Sequence, residues 1–127
     1  PGSRGLCLVP DQGFLIVLPD PERGKVALSL RVAADESLVD REAYHDIANP
    51  YGAPGTGAVA AAVDRHGWLY VATDLGIQML DQAGRVNGIV LSPIPAGTGP
   101  IAFGGDNQQT LFAVSDGQLY ARRTRAQ

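Results

Sequence analysis

Apolar residues in this chain come in short runs, some alternating with polar residues and some filling four to six consecutive positions. Clusters of Gly, Pro, Asn or Asp separate nearly every run from the next. Blocks this short, with almost no apolar recurrence at helical spacing, predict β-strands joined by tight turns. Three segments share one template: an apolar run, a turn opened near an Asp, then a second run of β-formers. In the first, Leu6 to Val9 passes through Pro10-Asp11-Gln12-Gly13 into Phe14 to Leu18. In the second, Ala61 to Val63 passes through Asp64-Arg65-His66-Gly67 into Trp68 to Ala72. The third is looser, with Ile101-Ala102-Phe103 leading through Gly104 to Gln109 into Thr110 to Val114.

Taking Leu15, Leu69 and Leu111 as equivalent gives spacings of 54 and 42 residues. The second matches the roughly 40–50 residues of a four-stranded propeller blade. The excess in the first is expected as a loop insertion over about 33–57. There a strand predicted over Lys25 to Val32 gives way to the acidic stretch Asp35, Glu36, Asp40, Glu42 and Asp46, then to the turn-forming Asn49 to Gly57. The second segment reads as a complete meander, with strands over 68–73, 76–80 and 86–91 following its first run. The third supplies strands over 100–103, 110–115 and 118–122, and no fourth. Only Val59 to Val63 tempts toward a helix; its flanking Gly57 and its match to the other first strands make it a buried inner strand. The expected fold is therefore all-β: a β-propeller fragment of about three antiparallel blades over one domain, 1–127, with blade-like repeats at about 4–48, 57–93 and 99–127 and the last blade incomplete.

Composition narrows the function classes. With 127 residues, 45% hydrophobic and 18% charged, the chain can bury a core and is too apolar for a disordered tail. Its 16 Gly and 9 Pro, spread between the runs, fit a turn-rich fold. A net charge of −3 argues against nucleic-acid binding, which needs a basic face. The one basic cluster, Arg122, Arg123 and Arg125, reads as a solvated tail. No apolar stretch approaches the roughly 20 residues that span a bilayer, so a soluble domain without membrane contact is expected. Cys7, the single cysteine, sits in an apolar run and reads as a buried small hydrophobe. Pro1-Gly2-Ser3 opens the chain abruptly before a strand, as expected of a piece of something longer.

Candidate chemistry is sparse. Gly52 to Val59 has the glycine spacing of a phosphate-binding loop but places Ala58 and Val59 where Lys and Ser or Thr must stand, so it reads as a flexible connection between blades. His45 and His66 read as loop residues without a partner at metal-ligand spacing. Ser29, Ser37, Ser92 and Ser115 lack a nucleophile-elbow frame. Asp11, Asp64 and Asp106 recur at turns, where a carboxylate caps backbone amides. Trp68, Tyr70 and Tyr120 are the aromatic candidates for a carbohydrate- or protein-binding face, although their place in strand patterns suits core packing.

The run Ala62 to Val86 (AVDRHGWLYVATDLGIQMLDQAGRV) resembles a late blade of the gluconolactonase and senescence-marker-protein (regucalcin) family of sugar-lactone hydrolases. Ile89 to Pro93, Ala102 to Gly105 with Thr110 to Phe112, and Arg4 to Asp11 resemble further blades in the expected order, so the likeness is to that family's C-terminal half. The resemblance implies a six-bladed propeller whose divalent metal, such as calcium or zinc, polarises the lactone carbonyl and activates water. It implies three ligands: a Glu from a first blade that this chain does not contain, an Asn where this chain has Arg4, and an Asp where it has Val59. With none of them present, the chain is expected to bind no cofactor and to act as a non-catalytic scaffold or accessory module. The alternative is a metal-dependent lactone or ester hydrolase completed by other blades or an attached domain. Three blades leave open faces, so a homodimer, a strand-swapped assembly or further blades of a longer protein are the expected partners.

Overall fold

The computed structural model describes residues 5–9, 13–22, 24–48, 55–91 and 99–124. Eleven strands among them form three antiparallel sheets, each pairing its strands in chain order. The first holds β1 (Leu6–Val9), β2 (Phe14–Val17), β3 (Val26–Val32) and β4 (Leu38–Asp46). The second holds β5 (Ala60–Val63), β6 (Leu69–Thr73), β7 (Gly76–Leu80) and β8 (Val86–Val90). The third has only β9 (Ile101–Gly104), β10 (Thr110–Ser115) and β11 (Gln118–Arg123). One 3₁₀ turn, Asp106–Gln108, is the sole helical element among the described residues. The architecture is a partial β-propeller whose last blade has three strands among the described residues. Its inner strands lie side by side, β1 against β5 and β5 against β9.

Where the sequence predicted a loop over 33–57, the structure has β4 through most of the acidic stretch. The alternation was masked because register shifts interrupt the β3–β4 ladder at Ala27/Leu28 and Ser29/Arg31, and Asp40 has a positive φ of 55°. A bulged outermost strand needs few apolar residues, because one edge and most of one face meet water. His45, expected in a loop, sits on this strand and is buried.

Two apolar clusters join the blades. Val9, Ile16, Leu18, Ala27 and Ile47 of the first blade meet Leu69, Val71 and Leu80 of the second. On the other face of the second sheet, Tyr70, Ala72 and Ile77 meet Leu111, Ile101 and Phe103 of the third. The period of two along each strand makes this possible: Leu69 and Val71 face one neighbour while Tyr70 and Ala72 face the other. All five residues of β6 are therefore buried, as a central strand covered on both faces must be.

The turns are held by carboxylates. Asp64 Oδ1 accepts the backbone N–H of His66 and of Trp68 at 2.8 and 3.0 Å. Asp81 Oδ1 likewise accepts the N–H of Ala83 and of Arg85, both at 3.0 Å. Each turn closes on a glycine in the left-handed region, Gly67 at φ 84° and Gly84 at φ 88°. Asp64 thus performs the capping its position predicted; Asp11 lies outside the described residues.

Candidate functional site

Three places concern function: the start of the inner strand β5, the groove between the second and third blades, and the buried polar seam between the first and second.

Residues 55–59 lead into β5 and are stitched to both neighbouring blades. Gly57 N–H donates to the Pro21 carbonyl at 2.7 Å, Asp74 N–H to Thr56 at 2.9 Å, and Val59 N–H to Ala72 at 3.0 Å. Gly55 and Gly57 are close-packing residues, not the flexible connection that the glycine-rich pattern suggested. A Cβ on Gly55 would lie 2.3 Å from the Glu22 carbonyl carbon, and one on Gly57 would lie 2.2 Å from the Asp74 carboxylate. A strand follows them, whereas a phosphate-binding loop leads into a helix. Residues 49–54 lie outside the described residues.

Val59 stands where the resemblance implies a metal-ligating Asp. It packs against the cluster of Tyr70, Ala72, Ile77 and Leu111 and offers no side-chain oxygen. Among the described residues, no three His, Cys, Asp or Glu side chains converge to hold an ion. The residues present at this position therefore do not fit the divalent metal. Arg4, the other implied position, lies outside the described residues.

The three aromatic candidates fall in different surroundings. Tyr70 is 3% exposed, and its ring meets Phe103 edge to face at 4.7 Å. Burial raises its phenol pKa, and the nearby Asp64 charge adds to the effect. Trp68 is half-buried against the same cluster. Tyr120 instead lines a groove of about 240 Å³ together with Ile77, Val90, Leu91, Leu111 and Arg122. Its hydroxyl donates to Gln118 Oε1 at 3.0 Å. The structure brings Tyr120 and Arg122 to one groove and leaves Trp68 and Tyr70 in the core between blades.

The polar seam was not visible in the sequence. Gln78 is fully buried; its Oε1 accepts Ala48 N–H at 2.9 Å while its Nε2 donates to the Ala48 carbonyl at 2.6 Å and to Thr73 Oγ1 at 3.0 Å. A side-chain amide thus pairs with both backbone groups of one residue, as a strand neighbour would. Gln78 ties the chain leaving β4 to the second blade. Nearby, His45 Nδ1 lies 2.7 Å from the Tyr44 carbonyl oxygen, so Nδ1–H is the donor and Nε2 is buried with no partner among the described residues. The ring lies against Gly84, where a Cβ would come within 2.8 Å of Nδ1. His66 is exposed in its turn. Cys7, expected to be buried, is half-buried against the first cluster, and the burial it has pushes its thiol up to about 11.

No family model matches the chain, and no curated protein matches it in sequence. Solved structures do. A gluconolactonase from Xanthomonas campestris superposes with a TM-score of 0.70 at 26% identity, over 94% of this chain and 36% of that one. A putative gluconolactonase superposes with a TM-score of 0.76 at 21% identity, over 98% and 39%. A luciferin-regenerating enzyme gives a TM-score of 0.69 at 21% identity, over 89% and 37%. The chain thus spans 36–39% of the length of the structures it matches.

Proposed function

We propose that this chain, which by its fold belongs with the gluconolactonase-like β-propellers, is as it stands a non-catalytic module that serves as a scaffold or accessory unit. The observation that carries this reading is Val59. A metal that polarises a lactone carbonyl needs oxygen or nitrogen ligands at the inner-strand ends. Here the β5 start is apolar and packed into the interface with the third blade. The Asp74 carboxylate lies over Gly57, in the turn after β6. The test is calorimetric titration of this chain with calcium, zinc and manganese, together with a pH-stat assay on gluconolactone. Neither heat of stoichiometric binding nor hydrolysis above background is expected. Saturable metal binding accompanied by hydrolysis would overturn the reading.

A second reading is favoured by the fraction of the matched structures that the chain spans. Blades outside these 127 residues could supply a complete ligand set for lactone or ester hydrolysis. It predicts metal-dependent turnover by a protein carrying those blades and none by this chain alone.

A further inference from the structure

A groove of about 380 Å³ opens on the first blade, lined by Phe14, Ser29, Arg31, Asp40, Glu42 and Tyr44. Its volume falls within the range of small-molecule pockets, roughly 300–1,000 Å³. Residues paired across antiparallel strands project to the same side, and the pairs Phe14 with Arg31, Ile16 with Ser29 and Ser29 with Glu42 put these side chains on the side that carries Ile16. Ile16 packs on the second blade, so the groove lies on the face between two four-stranded sheets of this chain. A β-bulge shapes it: Asp40 and Arg41 together oppose Leu30, which turns Glu42 to the side of Ser29 and Phe14.

The internal repeat shows what fills this place in the second blade. With Leu15 and Leu69 equivalent, Ile16, Ser29 and Glu42 correspond to Tyr70, Met79 and Gly88, which pair in the same way in the second sheet. There Met79 packs into the cluster shared with the third blade, and it lies over Gly88 so closely that a Cβ would come within 2.6 Å of its Cε. The first blade has the short Ser29 in place of that methionine and a carboxylate in place of that glycine. The space that a thioether occupies in one blade is open and polar-walled in the other.

The walls offer donors and acceptors together. Arg31 Nε donates to Asp40 Oδ2 at 2.7 Å, which pairs those two charges and leaves the guanidinium its other donors. The Ser29 hydroxyl and the Glu42 carboxylate have no hydrogen-bond partner among the described residues. Phe14 and Tyr44, with ring centroids 5.7 Å apart and planes tilted by 56°, form the apolar part. An anion would be repelled by Glu42, and an organic cation would crowd the Arg31 guanidinium. A neutral ring bearing several hydroxyls uses both kinds of polar group and sets its C–H face against the aromatic side. We propose that this groove binds a neutral sugar ring, its hydroxyls shared among Arg31, Ser29 and Glu42 and its C–H face lying on Phe14 and Tyr44. The inference goes beyond the scaffold reading and is independent of the metal ligands at the start of β5.

Amide chemical-shift mapping on the isotope-labelled 127-residue chain tests it. Methyl glucoside, methyl galactoside and methyl mannoside are titrated in turn, with glucuronate and tetramethylammonium chloride as charged comparisons. At least one methyl glycoside should shift the amides of residues 14, 29–31 and 40–44 and saturate with a midpoint of about 1 mM, the affinity that an ordinary ligand efficiency gives a molecule of this size. Glucuronate should bind at least about 10-fold more weakly, because its carboxylate meets that of Glu42. Glu42→Gln, at an exposed position, should keep the fold and raise the midpoint about 10-fold, as the loss of a hydrogen bond to a charged group does. Ser29→Met refills the groove as Met79 does in the second blade and should abolish saturable binding while the spectrum away from the groove stays unchanged. The proposal is overturned if no methyl glycoside gives saturable shifts, if the shifts fall on other residues, or if tetramethylammonium binds more tightly than every glycoside. A folded Ser29→Met variant, or a Glu42→Gln variant, that binds as the wild type does would overturn it as well.

Discussion

Replacing Gln78 with leucine removes the clasp between the first two blades while keeping most of the side-chain volume. Three hydrogen bonds are lost, two to the backbone of Ala48 and one to Thr73 Oγ1. Thr73 stays satisfied, because its hydroxyl still donates to the Gly76 carbonyl and still accepts Leu75 N–H. The cost therefore falls on the N–H and C=O of Ala48, each worth about 1–3 kcal/mol when left unpaired in a buried setting. Ala48 is half-buried, which favours the lower end and gives about 2–3 kcal/mol for the pair. The added apolar surface of leucine returns at most about 1 kcal/mol. A net loss of about 1–2 kcal/mol should lower the urea midpoint by about 0.5–1 M at an ordinary m-value. Protein concentration must be held fixed, since association would shift the midpoint by mass action. Gln78→Glu is a sharper control: it retains an acceptor for Ala48 N–H, loses the donor for Ala48 C=O, and buries a charge, so it should be at least as damaging. Exposed Gln82→Ala should stay within about 0.5 kcal/mol of wild type. If Gln78→Leu also stayed within that range, the clasp would not be holding the blades.

The remaining predictions concern the core, the turns and the thiol. Tyr70→Ala should cost about 3–5 kcal/mol by chemical denaturation, because it empties the interface opposite Phe103, whereas Tyr70→Phe keeps the ring and should change little. Asp81 has a carboxyl held down to about 2 from an ordinary 3.8, first by Arg85 N–H and then by the Asn87 amide. A depressed carboxyl stabilises the fold above its unfolded pKa and loses that contribution as pH falls toward the folded value. Acid titration of stability should therefore steepen between about pH 4 and pH 2, and Asp81→Asn should flatten that limb; an unchanged slope would refute the assignment. Cys7, with its thiol raised to about 11, should react slowly with iodoacetamide at pH 8 in the native chain and rapidly once unfolded in urea. Equal rates would show that the first blade does not shield it.

Much of the fold was legible because each inner segment repeats one template. The first strand of each blade and the hairpin after it follow from apolar runs broken by Asp- and Gly-containing turns, and ten of the eleven strands begin or end within one residue of a predicted boundary. β4 was missed for a physical reason: an outermost, bulged strand with charged residues on a solvent face carries neither continuous nor alternating apolar signal. Gln78 was missed because nothing local distinguishes a glutamine on a strand from a surface residue. Its partner Ala48 lies 30 positions away and offers only backbone groups. Gly55 and Gly57 look like linker glycines until the chain that crosses them is known. At the start of β5, that Val59 offers no side-chain oxygen could be read directly. The meeting of Tyr120 and Arg122 with Ile77 and Val90 could not, because that groove depends on how two blades pack.

Strand order within each sheet follows the order of synthesis, and this bears on how the molecule assembles in time. Every ladder joins consecutive strands, so no hydrogen-bonded pairing requires a distant segment to search for its mate. Chains dominated by such near-neighbour pairings lose less loop entropy before contacts form than sandwich folds of similar size. A blade can take shape soon after its last strand leaves the ribosome, and the residues after β4 then wait for β7 to arrive with its amide. That contact, together with the hydrogen bond from Gly57 N–H to the Pro21 carbonyl, would mark the step at which separate hairpin stacks become one cooperative body.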